Sequence, residues 1–167
     1  LTSKPVLYLA NVDEQSLGSP EAVRVRFGST LQRGGDLLLI CGKLEAELAE
    51  LDSSNRQAMM TELGLTESAL PRIIRGGYAL LGLITFFTTV SKILRAWTVV
   101  RGTKAPQAAG VIHSDFERHF IRAEVVGVEA LIACGGEASA RAQGLLRVEG
   151  KDYAVQDGDV IHFRVGT

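Results

Sequence analysis

Val6-Leu7-Tyr8-Leu9-Ala10, running without a break into Asn11-Val12-Asp13-Glu14, is the stretch that decides the fold class. Five apolar residues in a row, with no polar alternation, describe a strand covered on both faces, as in a parallel sheet. The pattern returns at Asp36-Leu37-Leu38-Leu39-Ile40. Between the two, Ser19-Pro20-Glu21 opens a short helix, with proline just inside the cap where a missing N–H costs least. After the second strand, Leu44, Leu48 and Leu51 share one face of a helix, with Glu45, Glu47 and Glu50 mostly off it. Strand, helix, strand, helix is the signature of an α/β domain. Two strands are too few for an independent sheet with covered faces. The chain also starts abruptly, at Leu1 and without Met. Further residues of this domain are therefore expected upstream.

Downstream, Ser54-Asn55-Arg56-Gln57 fits a capping box opening another helix, which Gly64 stops. A further helix is predicted over about 67–81, with Leu70, Ile74, Tyr78 and Leu81 at helical spacing and Pro71 near its start. From Leu83 the character changes. Residues 83–90 and 93–100 are β-rich runs separated by Ser91-Lys92, a hairpin pattern. Residues 107–120 read as mostly helical, 121–126 as a strand and 137–143 as a short Ala-rich helix. Strands are predicted at 145–148, 153–155 and 160–165, the last two separated by the turn Gln156-Asp157-Gly158-Asp159. Two strands, a helix, then more short strands describe an α+β module of the β-grasp (ubiquitin-like) type. The organisation is thus an α/β part over 1–61, a linker helix over 62–81 and the β-grasp module over 82–167.

Composition bounds the function classes. The 167 residues are 46% hydrophobic and 22% charged, with a net charge of −1. That balance excludes a bulk electrostatic pull toward nucleic acid or anionic lipid, so any RNA contact needs a local patch, and no DNA partner is expected. Cys41 and Cys134 form no C-x-x-C pair, which makes a reducing cytoplasm the default expectation. The longest uncharged stretch, 76–91, is shorter than the ~20 residues of a spanning helix, so no membrane segment is expected.

Asn11 to Glu14 sits where open α/β sheets bind ligands, at the carboxyl end of a strand. An Asn amide there can meet the Hoogsteen edge of a purine, which presents N7 and either O6 or N6. A carboxylate three residues on can accept from the other edge of the base. Guanine offers two donors there, N1–H and N2–H₂, whereas adenine shows an acceptor at N1. An unmatched buried polar group costs about 1–3 kcal/mol, enough to shift base choice. The guanine-reading motif of GTPases is Asn-Lys-x-Asp; here Val12 replaces the Lys and the longer Glu14 replaces the Asp. Weakened guanine discrimination, leaning to adenine, is the expectation. N-x-x-E is also a short pattern, and Asn after a strand often merely caps a helix. The second element is Cys41-Gly42-Lys43, where GTPases place a loop whose backbone N–H groups approach the base; Gly permits such an approach.

These two loops, in this order, resemble the YchF / Obg-like ATPase family of P-loop NTPases. Ala69-Leu70-Pro71-Arg72-Ile73-Ile74-Arg75-Gly76-Gly77-Tyr78 is similar to that family's linker helix. Phe86-Phe87-Thr88 and Arg95-Ala96-Trp97-Thr98 are similar to the opening hairpin of its C-terminal TGS domain. The run from Ala105-Pro106-Gln107 through Ile112-His113, Asp115-Phe116-Glu117 and Phe120-Ile121-Arg122-Ala123-Glu124-Val125 is characteristic of it. Glu149-Gly150-Lys151-Asp152-Tyr153 and Asp157-Gly158-Asp159-Val160 complete a resemblance covering essentially the whole chain. It implies the C-terminal part of a G domain followed by a TGS domain, and hydrolysis of ATP or GTP with Mg²⁺ in the intact protein. It also implies association with the ribosome, and base contacts from Asn11, Val12 and Glu14. Cys41-Gly42-Lys43 falls where the family itself varies. No G-x-x-x-x-G-K-[ST] occurs, so the phosphate cradle and the Mg²⁺ ligands are not in these residues, and this chain alone is expected to be inactive.

The remaining candidates read as structural. His113, His119 and His162 have no metal-ligand spacing, and His113 with Asp115 and Glu117 reads as a capped helix end. Asp157-Gly158-Asp159 is a turn lacking further calcium ligands, and Trp97 is a core or half-buried anchor. Lys92, Arg95, Arg101 and Lys104 lie on one hairpin and are the local candidates for an RNA-facing patch. An alternative function is a non-enzymatic β-grasp adaptor that binds ribosomal RNA or protein.

Overall fold

The computed structural model describes residues 4–28, 36–90 and 93–166. They form two compact units, Leu1–Leu80 and Leu81–Thr167.

In the first unit, β1 (Leu7–Asn11) and β2 (Asp36–Ile40) pair in parallel, with Leu7 opposite Asp36 and Asn11 opposite Ile40. One further bond, from the Val12 N–H to the Ile40 carbonyl at 2.8 Å, holds the chain past the strand end. Two helices follow β1. The four-residue α1 (Glu14–Leu17) was not legible as a helix; the Asp13 carboxylate starts it by accepting the Ser16 N–H. The second is α2 (Pro20–Phe27). Val23 of α2 packs on Leu37 and Leu39 from one face of the sheet. After β2 come α3 (Gly42–Glu50), α4 (Ser53–Glu62) and α5 (Ala69–Leu81). Leu44 and Leu48 of α3 join Cys41 and Met60 in a second small core.

Helix α4 is capped by Asp52, not by the Ser54 box expected from sequence. Its carboxylate takes the N–H groups of Ser54 and Asn55, both at 3.0 Å, and the Asn55 side-chain amide at 2.7 Å. An ionised acceptor at the positive end of a helix wins over a neutral hydroxyl two residues further in. Helix α5 starts on a bond from the Ala69 N–H to the Glu45 carboxylate at 2.8 Å. Its face toward β1 and β2 is set by Gly76, where a Cβ would lie 3.0 Å from Leu7 Cδ2 and 3.2 Å from Leu38 Cδ1. Of the residues read at helical spacing, Leu70, Ile74 and Leu81 are exposed and Tyr78 is half-buried.

The second unit is a mixed α/β fold built on a five-stranded sheet of order β4-β3-β7-β5-β6. Strands β3 (Leu83–Val90) and β4 (Ile93–Val100) form an antiparallel hairpin with Leu83 opposite Val100 and Val90 opposite Ile93. Strand β7 (Asp159–Val165) lies between β3, to which it is parallel, and β5 (Phe120–Gly127), to which it is antiparallel; β6 (Arg147–Glu149) adds an edge. The helix predicted over 107–120 is two helices, α6 (Ala105–Ile112) and α7 (Ser114–Arg118). His113 separates them: its extended backbone ends α6, and its Nδ1 accepts the Asp115 N–H to start α7. Ala105, Ala108 and Ala109 are small enough to seat α6 against Ile84, Phe86, Val125 and Ile161 of the sheet.

Helix α8 (Val128–Cys134) was not anticipated; α9 (Glu137–Ala142) follows it. Residues 153–155 are not a strand. They contribute one bridge, Lys104 to Ala154, because Tyr153 is drawn instead to the Asp157-Gly158-Asp159 turn. There the buried Asp159 accepts the Tyr153 O–H at 2.7 Å and the Gln156 N–H at 2.8 Å. Burial, then the bond to Asp159, pushes the Tyr153 phenol up to about 12.

Candidate functional site

The loops after β1 and β2 meet because their strands are adjacent and parallel, so both carboxyl ends emerge on the same side. Asn11 Oδ1 accepts the backbone N–H of Gly42 at 2.9 Å, a link across 31 positions of sequence. Gly42 permits it by close approach: a Cβ there would sit 3.4 Å from Asn11 Oδ1, at the limit of ordinary contact. This bond uses one face of the Asn amide. The Nδ2 group keeps its two donors, with no partner among the described residues.

Asn11, Val12, Glu14, Cys41 and Lys43 line one open hollow of ≈ 530 Å³, together with Asp13 and Gln15. Its members differ in mobility and charge. Cys41 is buried and precedes α3 as its cap residue, a small wall rather than a reactive group. Val12 is half-buried against Val23, Leu37 and Leu39. Asp13 is held by Ser16, which lowers its carboxyl below the usual range, and is committed to starting α1. Glu14, the first residue of α1, carries a half-exposed carboxylate 3.9 Å from Lys43 Nζ, which also lies 3.7 Å from Glu47. Such solvent-facing pairs contribute little stability, so Glu14 and Lys43 are free to exchange partners. The hollow therefore offers two fixed amide donors, one mobile carboxylate, one mobile ammonium and an apolar floor.

Of the four cations expected to face RNA, the three that lie among the described residues do not share one location. Lys92 lies outside the described residues. Arg95 faces Thr88 on β4, whereas Arg101 follows the other end of that strand, about 20 Å away at the rise of a strand. Lys104 precedes α6 and pairs with Asp152 at 2.7 Å. A different cluster does converge. The buried Glu124 on β5 accepts from Arg164 Nε at 3.0 Å and Arg141 at 3.1 Å, with Arg122 3.7 Å away. Arg122 and Arg164 are cross-strand partners, as are Glu124 and His162. Hydrogen bonding from Arg164 outweighs burial and lowers the Glu124 carboxyl to about 2. Arg122 and Glu124 share one face of β5; the β5–β7 register adds Arg164 and α9 adds Arg141, and neither addition was legible in strand alternation.

His113 and His119 flank α7, and His162 lies on β7. Among the described residues no group of His, Cys, Asp or Glu is placed to hold a metal ion, and no helix is long and apolar enough to cross a membrane.

With this geometry in place, comparison with known proteins is decisive. The family model for the C-terminal region of YchF GTPases, described as a protein of unknown function (DUF933), matches residues 83–166. The chain belongs to the YchF family. It is 50% identical over 167 residues to the ribosome-binding ATPase YchF of Bacillus subtilis (strain 168), covering 98% of this chain and 46% of that protein. It is 42% identical over 171 residues to Obg-like ATPase 1 of Pongo abelii, covering 100% of this chain and 43% of that one. The solved structure of the Schizosaccharomyces pombe YchF GTPase superposes with a TM-score of 0.85 at 34% identity, over 98% of this chain and 44% of that one. This YchF-family chain thus spans less than half the length of the curated relatives it matches.

Proposed function

We propose that the intact protein is a purine-nucleotide hydrolase of the YchF / Obg-like type, taking ATP or GTP with Mg²⁺ and acting in the cytoplasm at the ribosome. The observation that carries this reading is the bond from the Gly42 N–H to Asn11 Oδ1, which joins two separate loops into one edge beside a hollow. With Oδ1 committed, the Asn11 Nδ2 donors suit N7, an acceptor common to adenine and guanine. Base choice then falls to Glu14. Its carboxylate matches the two donors of guanine, but it is half-exposed and lies 3.9 Å from Lys43 Nζ, a competing partner that weakens that preference. Asn11, Val12, Glu14, Cys41, Gly42 and Lys43 would hold the base; the metal and the phosphates belong to residues outside this chain.

The second unit is read as a β-grasp TGS domain. Its opening hairpin, the helix packed on the sheet and the parallel pairing of β3 with β7 at the sheet centre support that assignment. Ribosome association is supported by the similarity to the Bacillus subtilis relative, a ribosome-binding ATPase. Arg122, Arg141 and Arg164, gathered around one carboxylate, supply the local positive charge that a chain of net charge −1 needs for RNA. The same cluster favours a second reading, an adaptor that binds ribosomal RNA or protein without turnover.

Two measurements on the full-length protein separate these readings. Calorimetry with ATP and GTP is expected to show binding of both that weakens about tenfold in Asn11→Ala; unchanged affinity would remove Asn11 from the site. Turnover assays that find binding without hydrolysis would favour the adaptor.

A further inference from the structure

The sheet of the second unit has a gap in an unexpected place. Strand β3 pairs with β4 over eight register positions and β7 with β5 over seven, yet β3 and β7 pair only where Phe87 faces Val160. Beyond that position a hollow of ≈ 350 Å³ opens, walled by Trp97, Phe116, Phe163, Ile112 and Ile161. Phe163 is fixed by edge contacts with Phe86 and Phe120, at centroid distances of 6.0 and 6.2 Å. The Trp97 indole N–H is already used, donating to Thr88 Oγ1 at 2.9 Å, so the wall has no unmet polar demand there. At the mouth stand the exposed Ile93 and one cation, Arg95; the His162 side chain belongs to the other face of β7, with its cross-strand partner Glu124. Among the described residues Arg95 has no ion-pair partner and no acidic residue lines the hollow.

We propose that this hollow binds a small amphiphilic acid: an aliphatic or aromatic body ending in one carboxylate. The volume lies in the range of small-ligand cavities, which combine apolar walls with a few polar groups. The three aromatic rings and two isoleucines receive the apolar body. The Arg95 guanidinium takes the carboxylate, in the fork geometry that Arg provides, and the absence of acid leaves nothing to repel it. The site belongs to the second unit alone and does not depend on the nucleotide reading of the first.

The chain's only tryptophan lines the hollow and reports on it. The full-length protein, labelled with ¹⁵N, is titrated with straight-chain carboxylates from hexanoate to dodecanoate and with the matching primary alcohols. The Trp97 indole signal is identified by its loss in Trp97→Phe. The expected result is an affinity that rises about fourfold per methylene until the hollow is full. Each alcohol should bind roughly tenfold more weakly than its acid. Arg95→Gln should abolish the difference between acid and alcohol but keep the dependence on chain length. Ile93→Asp should weaken the acids selectively. Both changes are at exposed positions, and the amide spectrum checks that the fold persists. Affinity independent of chain length, or acid preference surviving in Arg95→Gln, overturns the assignment. So does a Trp97 shift produced only by peptides ending in an apolar residue and not by the free acids.

Discussion

Asn11 shows how much one side chain decides. Its position after an apolar strand was legible, because a run of five apolar residues ends where the sheet ends; the cover expected on both faces of that strand is not found, since Leu9 is exposed and none of Leu7–Asn11 is buried. Its hydrogen bond to Gly42 was not, because the partner lies 31 residues away and depends on strand order. Gly42→Ala tests the packing at this point. A Cβ would stand 3.4 Å from Asn11 Oδ1, within ordinary contact, so Gly42→Ala should keep the bond and leave both nucleotide affinity and the melting temperature of the intact protein little changed, whereas a bulkier Gly42→Val should lower the affinity several-fold. A large loss of stability with unchanged affinity would make the glycine structural only. Glu124 poses the opposite problem, a carboxylate whose role is electrostatic. Its folded-state pKa of about 2 lies below the ordinary value of 4.5. The stability it contributes is fully present above pH 4.5 and drains away as the pH falls through that range toward 2. Thermal unfolding followed from pH 6 to 2 should therefore show a steeper loss in the wild type than in Glu124→Gln. Parallel curves would show that the arginines do not stabilise the ionised form.

At the scale of elements, sequence patterns located most helices and strands but misplaced their ends and faces. The capping residue of α4 is Asp52 because a carboxylate binds free N–H groups more strongly than the serine hydroxyl that the motif suggested. His113 divides what looked like one helix because its ring nitrogen offers the next turn a cap. For α5 the period was legible and the packing face was not. Apolar spacing identified Leu70, Ile74 and Leu81, but the approach to the sheet is made by Gly76, whose missing side chain carries no hydropathy signal. The neighbouring glycines give a clean test. Gly77 has nothing within 4 Å of a Cβ, so Gly77→Ala should stabilise by up to about 1 kcal/mol through helix propensity. Gly76→Ala gains the same propensity but meets Leu7 and Leu38, and overpacking of this kind costs about 1–3 kcal/mol. Denaturant melts that rank Gly76→Ala at or above Gly77→Ala would contradict the packing of α5 on the sheet.

At the scale of the whole molecule, the α/β character of the first unit and the strand-rich character of the second were both legible, because the period of apolar residues changes between them. The order of the strands was not: β7, last of the described strands, lies in the middle of its sheet, and that position brings Arg164 beside Arg122 and Glu124 of β5. If those arginines face ribosomal RNA, co-sedimentation of the intact protein with ribosomes should weaken as salt rises, and Arg122→Ala should reduce both the binding and its salt dependence. Binding indifferent to salt and to Arg122 would place the contact elsewhere.

In the proposed site Asn11, anchored by Gly42, reads N7 of a purine. Calorimetry of the full-length protein with ATP and with its analogue carrying carbon at position 7 addresses that single atom. The wild type is expected to bind ATP about fivefold more tightly than the analogue, the worth of one hydrogen bond of about 1 kcal/mol, and Asn11→Ala to bind the two alike. Equal affinity in the wild type, or an undiminished preference in Asn11→Ala, would contradict it.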